Sequence, residues 1–470
     1  MVELEQYIVD ILYQYGIYNS KQHNYNMCSL SSGLIHNTWK IEISNHNNIQ
    51  NDTNSMKYSY ILQQFNIDIF KNPYQISENI ENICFYLHEK YPSYKCIQPV
   101  KMDNGNYFYI HNAINKNINS ESNSKNNSNS DYVEPESMTT ATPSIIPIPV
   151  YYRMFVFIEN SYVYQSVNSI QLAFEASTHF ARFTKLLSCS ENSNSNRDRN
   201  MDRNSGKDSA SSSLMHRLHV TLPDFHNLTM RYAYFQSTIH TNTTGTTGTT
   251  DAIDSVSDND TASNSNSNNS NNGINIVRLH ESVVQEYIAY LISLKESIVD
   301  RYTDIATKHT EYKLRVTHHD TKISNILFDI NDSGLCVIDL DTVMPGYFIS
   351  DIGDMIRTYA CIYDENESDF DLICVRNEYI LAIVEGYIIE IGFDLTASEL
   401  NCFIYAGKYM IYMQALRFLC DYIRNDIYYT IQYNTQNIIR AGNQIKLLRS
   451  LIEQEVELDI EIMKIIKKYL

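Results

Sequence analysis

Residues 317–329 read "THHDTKISNILFD", and the meaning given to this stretch decides the rest of the 470-residue chain. Two histidines, His318 and His319, come before Asp320; Lys322 follows; Asn325 stands five positions after the aspartate, directly before the apolar "ILF". A metal knot is a poor reading, because no third soft ligand stands at useful spacing from the two histidines. An aspartate and an asparagine five apart also arise by chance. What lies next to the stretch must therefore decide.

Immediately downstream, "NILFDINDSGLCVIDLD" places two short apolar runs around "NDSG", a turn composition that predicts a β-hairpin. The hairpin returns to Asp339 and Asp341 in "VIDLDT". Loop, hairpin and second acidic motif follow the order of the H-x-D-x-x-x-x-N catalytic loop in protein-kinase-like phosphotransferases. The chemistry accounts for the spacing. Asp320 can face an acceptor hydroxyl as the catalytic carboxylate, while Asn325 offers a neutral oxygen to Mg²⁺. Asp339, with Asp341 beside it, supplies the carboxylates that Mg²⁺ shares with nucleotide phosphates. His318 is read as a brace for the loop backbone.

Further out, helical patterns dominate from Ser169 onward, as in "SIQLAFEASTHFARFTKLL" and "ESVVQEYIAYLISLKESIVDRYTDIATKH". The hairpin is expected to interrupt them once. The N-terminal third differs. "WKIEI" and "YSYILQQF" read as neighbouring antiparallel strands joined by an expanded loop, "IPIPVYYRMFVFIEN" is β-rich, and "YQISENIENICFYLHEKY" sets Ile76, Ile80, Ile83 and Leu87 on one helical side. These patterns predict an α+β, protein-kinase-like two-lobe fold. A nucleotide-binding N-lobe would span 1–160 and a catalytic and substrate-binding C-lobe 161–470. Asn/Ser-rich tracts at about 113–143, 190–213 and 241–275 bury too little apolar surface to offset their backbone entropy, and are expected to be disordered inserts.

Composition narrows the function. The net charge of −19 argues against nucleic acid or an acidic membrane as partner. Nine cysteines with no C-x-x-C pair suggest neither a disulfide framework nor a zinc site. The acidic, amphipathic start "MVELEQYIVDILYQYG" is unlike a signal peptide, and no apolar run is long enough to span a bilayer, so a cytoplasmic protein is expected.

Taken together, "HHDTKISNILFD", "CVIDLDTVMPG" and "SDIGDMIRT" resemble the N-acetylhexosamine 1-kinases of the aminoglycoside-phosphotransferase/choline-kinase superfamily. "SSGLIHNTWKIE", "YYRMFVFIENSYVY", "LPDFHNLTMRY" and "ALRFLCDYIRNDIYY" match the same family in order. The resemblance implies transfer of the ATP γ-phosphoryl group, with Mg²⁺, to the anomeric hydroxyl of an N-acetylated hexosamine. It makes Asp320 similar to the catalytic carboxylate, and Asn325, Asp339 and Asp341 similar to the metal-binding set. It places Gly33, Asn37 and Thr38 in the nucleotide-covering turn, and Arg417 and Tyr428, with Asp320, against the sugar. Asp351 and Asp354 are read as supports of the loop. Glu78 could pair with a small-lobe cation or lie on a solvated helix face, and Arg417 could instead pair with Asp421 one helical turn on. The chain departs from the family pattern at Gln64, where a basic residue is general, at Asn37, where an acidic one is common, and at His319, which replaces an asparagine. Choline, an aminoglycoside or another small hydroxyl compound remains an alternative acceptor. A pseudokinase binding module, the third alternative, would be expected to lack Asp320, Asn325 or Asp339, and all three are present.

Overall fold

The computed structural model describes residues 4, 7–30, 36–45, 58–113, 148–188, 214–240 and 273–470. They divide into two compact units, one of residues up to 85 plus 96–160, the other of 86–95 plus 161–470.

In the first unit, α1 (Ile8–Gln14) precedes β1 (His23–Leu30), β2 (Asn37–Asn45) and β3 (Tyr58–Phe65); α2 (Pro73–Lys90) follows, then β4 (Pro99–Val100), β5 (Tyr109–Ala113) and β6 (Ile148–Val156). The strands form one antiparallel sheet in the order β1-β2-β3-β6-β4, with β5 also on β6. The predicted pairing of "WKIEI" with "YSYILQQF" is observed as β2 against β3. Strand β2 alternates as a half-buried strand must, with Trp39, Ile41 and Ile43 inside. Those residues join Leu62, Tyr152 and Met154 and the α1 residues Ile8, Ile11 and Leu12 in one apolar cluster. Burying each large apolar side chain stabilises the unit by about 1.5–3 kcal/mol. Helix α2 buries the predicted stripe of Ile76, Ile80, Ile83 and Leu87.

The second unit is mainly helical. Its long helices are α3 (Ile170–Ser188), α5 (Leu228–Ile239), α7 (Ser282–Ser293), α9 (Phe348–Tyr359), α10 (Asn377–Ile391), α12 (Phe403–Ile423) and α13 (Gln436–Tyr469); α4 (Leu214–Arg217), α6 (Ile276–Leu279), α8 (Arg301–Thr307) and α11 (Ala397–Leu400) are short. A five-residue π turn, Glu296–Asp300, separates α7 from α8 within the predicted long helix. Almost every residue of α12 is buried, so it runs through the core, its mostly apolar surface broken by Lys408, Gln414, Arg417 and Asp421. The predicted hairpin is present as β8 (Ile326–Phe328) and β9 (Gly334–Val337). A second pair, β7 (Leu314–Thr317) against β10 (Met344–Tyr347), brackets the loop and hairpin and corrects the expectation of a single interruption. The α+β fold is thus kinase-like in composition, an antiparallel sheet in one unit and a helical second unit holding short strand pairs.

Two insert boundaries are corrected. Ala113 closes β5 opposite Ile148. At the other end, Ile274 is buried and the Asn275 side chain caps α6 by accepting from Val277 N and Arg278 N, so 273–275 belong to the folded unit. The remainder of the three Asn/Ser-rich tracts lies outside the described residues, as do Gly33 and the β2–β3 connection at 46–57.

Candidate functional site

The loop between β7 and β8 is held by carboxylates from α9. Asp351 accepts from the backbone N–H of His318 at 3.0 Å and of His319 at 2.8 Å. Asp354 accepts from Thr321 N at 2.9 Å, while the Thr321 hydroxyl donates to Asp351 O. Arg357 donates to the other Asp354 oxygen at 2.9 and 3.1 Å. Both aspartates therefore direct their carboxylates to loop N–H groups. Burial pushes the Asp351 carboxyl up to about 6, with the two backbone donors opposing the rise. His318 bridges inward: one ring nitrogen lies 3.0 Å from Ile338 O and the other accepts from Asp320 N at 3.3 Å. The tautomer that fits both bonds carries its proton on Nε2.

Asp320 emerges from this frame with two neighbours on the same loop. Lys322 Nζ is 3.3 Å from Oδ1, and Asn325 Nδ2 donates to Oδ2 at 3.1 Å and to Asp320 O at 2.8 Å. Burial alone would raise the Asp320 carboxyl; Lys322, then His318 and Arg357, hold it below its ordinary value. Ile338 N donates to Asn325 O at 2.9 Å, which fixes the end of β9, and with it Asp339, against the loop. Asp339 adopts left-handed backbone angles, φ 57 and ψ 61, and His319 has φ 66. Such conformations cost non-glycine residues about 1–3 kcal/mol and need surroundings that enforce them. Asp341 is buried, and it and Asp339 offer oxygens within 4.8 Å of one another.

His319 links the loop to a second cluster. Its Nε2 lies 2.8 Å from Thr317 Oγ1, whose hydroxyl donates to Met344 O, and its Nδ1 lies 3.3 Å from Nδ1 of His226. Burial, then His318, lowers the His319 imidazole to about 3. Gly346 is required here, since a Cβ on it would overlap both the His319 ring and the Thr317 hydroxyl. Phe225 stacks on His226 at 4.4 Å, and the Arg417 guanidinium lies over Phe225, Tyr428 and Tyr429 at 5.8, 5.4 and 5.5 Å. Arg417 donates to the Tyr428 hydroxyl and to Gln414 Oε1, both at 3.2 Å. The alternative helix pair with Asp421 does not form: that carboxylate accepts from Tyr428 N, Tyr429 N and Asn437 Nδ2.

The second unit thus brings together Asp320, Asn325, His318, Asp351 and Asp354, places Asp339 and Asp341 at the hairpin end, and joins Arg417 to Tyr428. Asn37 and Thr38 lie on β2 of the first unit. There two of the three departures from the family pattern face each other, Asn37 donating to Gln64 Oε1 at 3.1 Å in direct strand register. Thr38 accepts from Gln63 Nε2 at 3.4 Å. Glu78 is exposed on α2, and on the same helix Glu81 lies 2.5 Å from Lys101.

Several residues escaped the sequence reading. Lys322 stood in the quoted stretch two positions after Asp320, which was signal enough. Arg357 is one turn after Asp354, an i,i+3 spacing that could have marked it. His226 and Arg231 carry no such local pattern. Nor does Arg153, a buried cation on β6 whose Nε donates to Gln63 Oε1 at 3.0 Å and whose guanidinium lies over Phe65 and Phe155.

Residues 282–372 match the model of a phosphotransferase enzyme family. Among solved structures, the chain is similar to a microcompartment-associated aminopropanol kinase at 13% identity and TM-score 0.47, over 97% of this chain and 98% of that one. It is similar to the amicoumacin kinase hAmiN, solved with AMP-PNP and Ca²⁺, at 10% identity and TM-score 0.46, over 94% and 93%. A Plasmodium vivax ethanolamine kinase gives 13% identity and TM-score 0.44, over 94% and 89%. The stretch from 282 to 372, which holds the clamped loop, the hairpin and the helix that clamps it, carries the pattern of a phosphotransferase enzyme family.

Proposed function

We propose that this chain is an ATP-dependent small-molecule kinase that phosphorylates the anomeric hydroxyl of an N-acetylhexosamine. The observation that carries the reading is Asp320, held between Lys322 and Asn325 on a loop whose backbone is gripped by Asp351 and Asp354. Asp320 would accept a hydrogen bond from the acceptor hydroxyl, align its oxygen with the γ-phosphorus and take its proton as the new P–O bond forms and the bond from the γ-phosphorus to the departing ADP oxygen breaks. A carboxylate held low is a weak base. It suffices because phosphoryl transfer is loose and little negative charge builds on the attacking oxygen. The anomeric hydroxyl, more acidic than other sugar hydroxyls, fits such a base best. Lys322 would face the transferring phosphoryl oxygens.

The donor set suits Mg²⁺. Asn325 commits its Nδ2 to Asp320, so its amide oxygen is the atom left to offer, and Asp339 and Asp341 add carboxylate oxygens. Bound there, the ion would neutralise phosphate charge. Arg417 and Tyr428 would orient the uncharged sugar through fixed donors. On β2, Asn37 and Thr38 are proposed to border the nucleotide.

The test is a screen of the purified chain with ATP and Mg²⁺ against N-acetylglucosamine, N-acetylgalactosamine, choline, ethanolamine and an aminoglycoside. Phosphorus NMR should show a sugar 1-phosphate. A phosphate on the 6-position, a product that still reduces, or exclusive use of choline, ethanolamine or the aminoglycoside would overturn the assignment.

A further inference from the structure

Buried and half-buried arginines in the second unit are, as a rule, matched by oxygens. Arg278 pairs with Asp426 at 2.5 Å, Arg315 with Glu399 at 2.6 Å and Arg357 with Asp354 at 2.9 Å, while Arg376 donates to the carbonyls of Ala360, Val167, Tyr359 and Cys361. Arg231 breaks the rule, and Arg417 beside it has no carboxylate partner among the described residues. The two hydrogen bonds of Arg417 go to neutral groups, the Gln414 amide and the Tyr428 hydroxyl. Arg231, on α5, has its Nε buried with no partner among the described residues. Neither forms an ion pair within 4.0 Å among the described residues. The two lie on neighbouring segments tied at both ends, the Tyr409 hydroxyl of α12 donating to His226 O just before α5 and Arg424 Nε just past α12 donating to Thr238 Oγ1 on α5; burial first, then the like charge of Arg417, hold the Arg231 guanidinium below its ordinary value, with Tyr428, Tyr429 and the exposed Asp224 acting the other way. His226, between these arginines and the catalytic loop, is kept neutral by burial and by His319, Arg417, Arg231 and Arg357, so it relieves none of the charge.

Two neighbouring half-buried guanidiniums, one of them with a buried N–H donor unspent, are costly unless an oxygen-bearing group completes them. A planar guanidinium matches carbonyl and carboxylate oxygens, whereas an ammonium would add a third positive charge to the cluster. We propose that Arg231 is a specificity-determining residue of the acceptor pocket, forming with Arg417 a cradle that binds a carbonyl or carboxylate oxygen of the acceptor and rejects acceptors carrying an ammonium group. This rests on the reading of the second unit as the acceptor side of a kinase.

N-acetylglucosamine and glucosamine make the probe pair, since one carries an acetyl carbonyl where the other carries a protonated amine. The wild-type chain should show kcat/KM for N-acetylglucosamine about tenfold or more above that for glucosamine. Arg231→Met should raise the KM for N-acetylglucosamine about tenfold, leave the KM for ATP within about twofold and shrink the preference between the sugars, as the loss of a charge-assisted hydrogen bond requires. Arg231→Lys should recover part of the preference, and the thermal midpoints of both variants should stay close to wild type. An unchanged KM and preference in Arg231→Met, or glucosamine or choline used as well as N-acetylglucosamine by the wild type, would overturn the cradle while leaving a kinase. Isothermal titration separates the two readings: N-acetylglucosamine binding that needs Arg231, in a chain that transfers no phosphate to any acceptor, would uphold the cradle and overturn the kinase.

Discussion

At the scale of single residues, Asp320 on the loop and Asp351 on α9 carry carboxyls shifted in opposite directions. Asp320 keeps its negative charge because Lys322 stands at 3.3 Å. Asp320→Asn should lower kcat about a hundred- to ten-thousandfold while leaving ATP affinity nearly intact, since the side chain is assigned to the acceptor and not to the nucleotide; single-turnover kinetics beside nucleotide titration checks this, and a near-native rate would remove the role. Asp339→Asn should instead raise the Mg²⁺ concentration needed for half-maximal rate, because an anionic ligand is lost. Asp351 offers a test through pH. Its folded pKa, about 6, lies above the unfolded value near 3.9, so its share of stability is fully present below pH 4 and is lost as pH rises through 6. His319 runs the other way: its folded value of about 3 lies below the unfolded 6.5, so its share is present above 6.5 and lost as pH falls towards 3. Replacing Asp351 by Asn removes only the first. The destabilisation caused by Asp351→Asn, measured by urea unfolding, should therefore grow by about 2 kcal/mol between pH 7 and pH 4. Parallel pH curves for the two proteins would show that Asp351 is not the buried, raised carboxyl described above.

At the scale of elements, the clamp depends on how closely α9 lies on α12. A Cβ on Gly353 would overlap the Ala406 carbonyl oxygen, and one on Gly407 would come 2.7 Å from Ile356 Cγ2, so each helix uses a glycine where the other crosses it. Gly353 sits between Asp351 and Asp354, and α12 carries Arg417, so this crossing sets the position of the clamp relative to Arg417. Gly353→Ala should cost about 1–3 kcal/mol of stability by overpacking and should lower kcat more than it changes the KM for ATP, read from thermal midpoints and steady-state kinetics. A fully stable, fully active variant would mean the crossing yields without moving the clamp. Periodicity made most elements legible: β2 alternates, α2 carries its Ile76–Leu87 stripe, and "NDSG" marks the hairpin. Strand β10 was hidden because Pro345 and Gly346 read as breakers, yet Thr317 and His319 require the close approach that only Gly346 permits. Asp320 and Asn325 were legible from spacing because they share one loop. His226, Arg231 and Arg153 were not, because their partners lie on other elements and no local pattern encodes that proximity.

At the scale of the whole molecule, the chain is compact pattern broken by long polar tracts, and the tract at 241–272 can be weighed from its ends. Before it, α5 closes with Thr238, whose hydroxyl accepts from Arg424 Nε at 3.2 Å. After it, Gly273 O accepts from Asn425 Nδ2 at 3.3 Å, and Asn275 donates to Asn425 Oδ1 at 2.8 Å. Both ends are thus fastened to consecutive residues just past α12, and α6 begins from its own Asn275 cap. A connection between points so placed needs few residues, and the free energy of closing a loop changes by only about 0.6 kcal/mol per doubling of its length. Replacing 241–272 with six Gly/Ser residues should therefore stabilise the second unit by about 1–1.5 kcal/mol through loop closure and leave kcat within about twofold. Calorimetry and the phosphoryl-transfer assay on the shortened chain decide it. A fall in the thermal midpoint of several degrees would mean that residues inside 241–272 make stabilising contacts, and a selective loss of acceptor affinity at unchanged stability would mean that the tract reaches the Arg231–Arg417 side of the pocket.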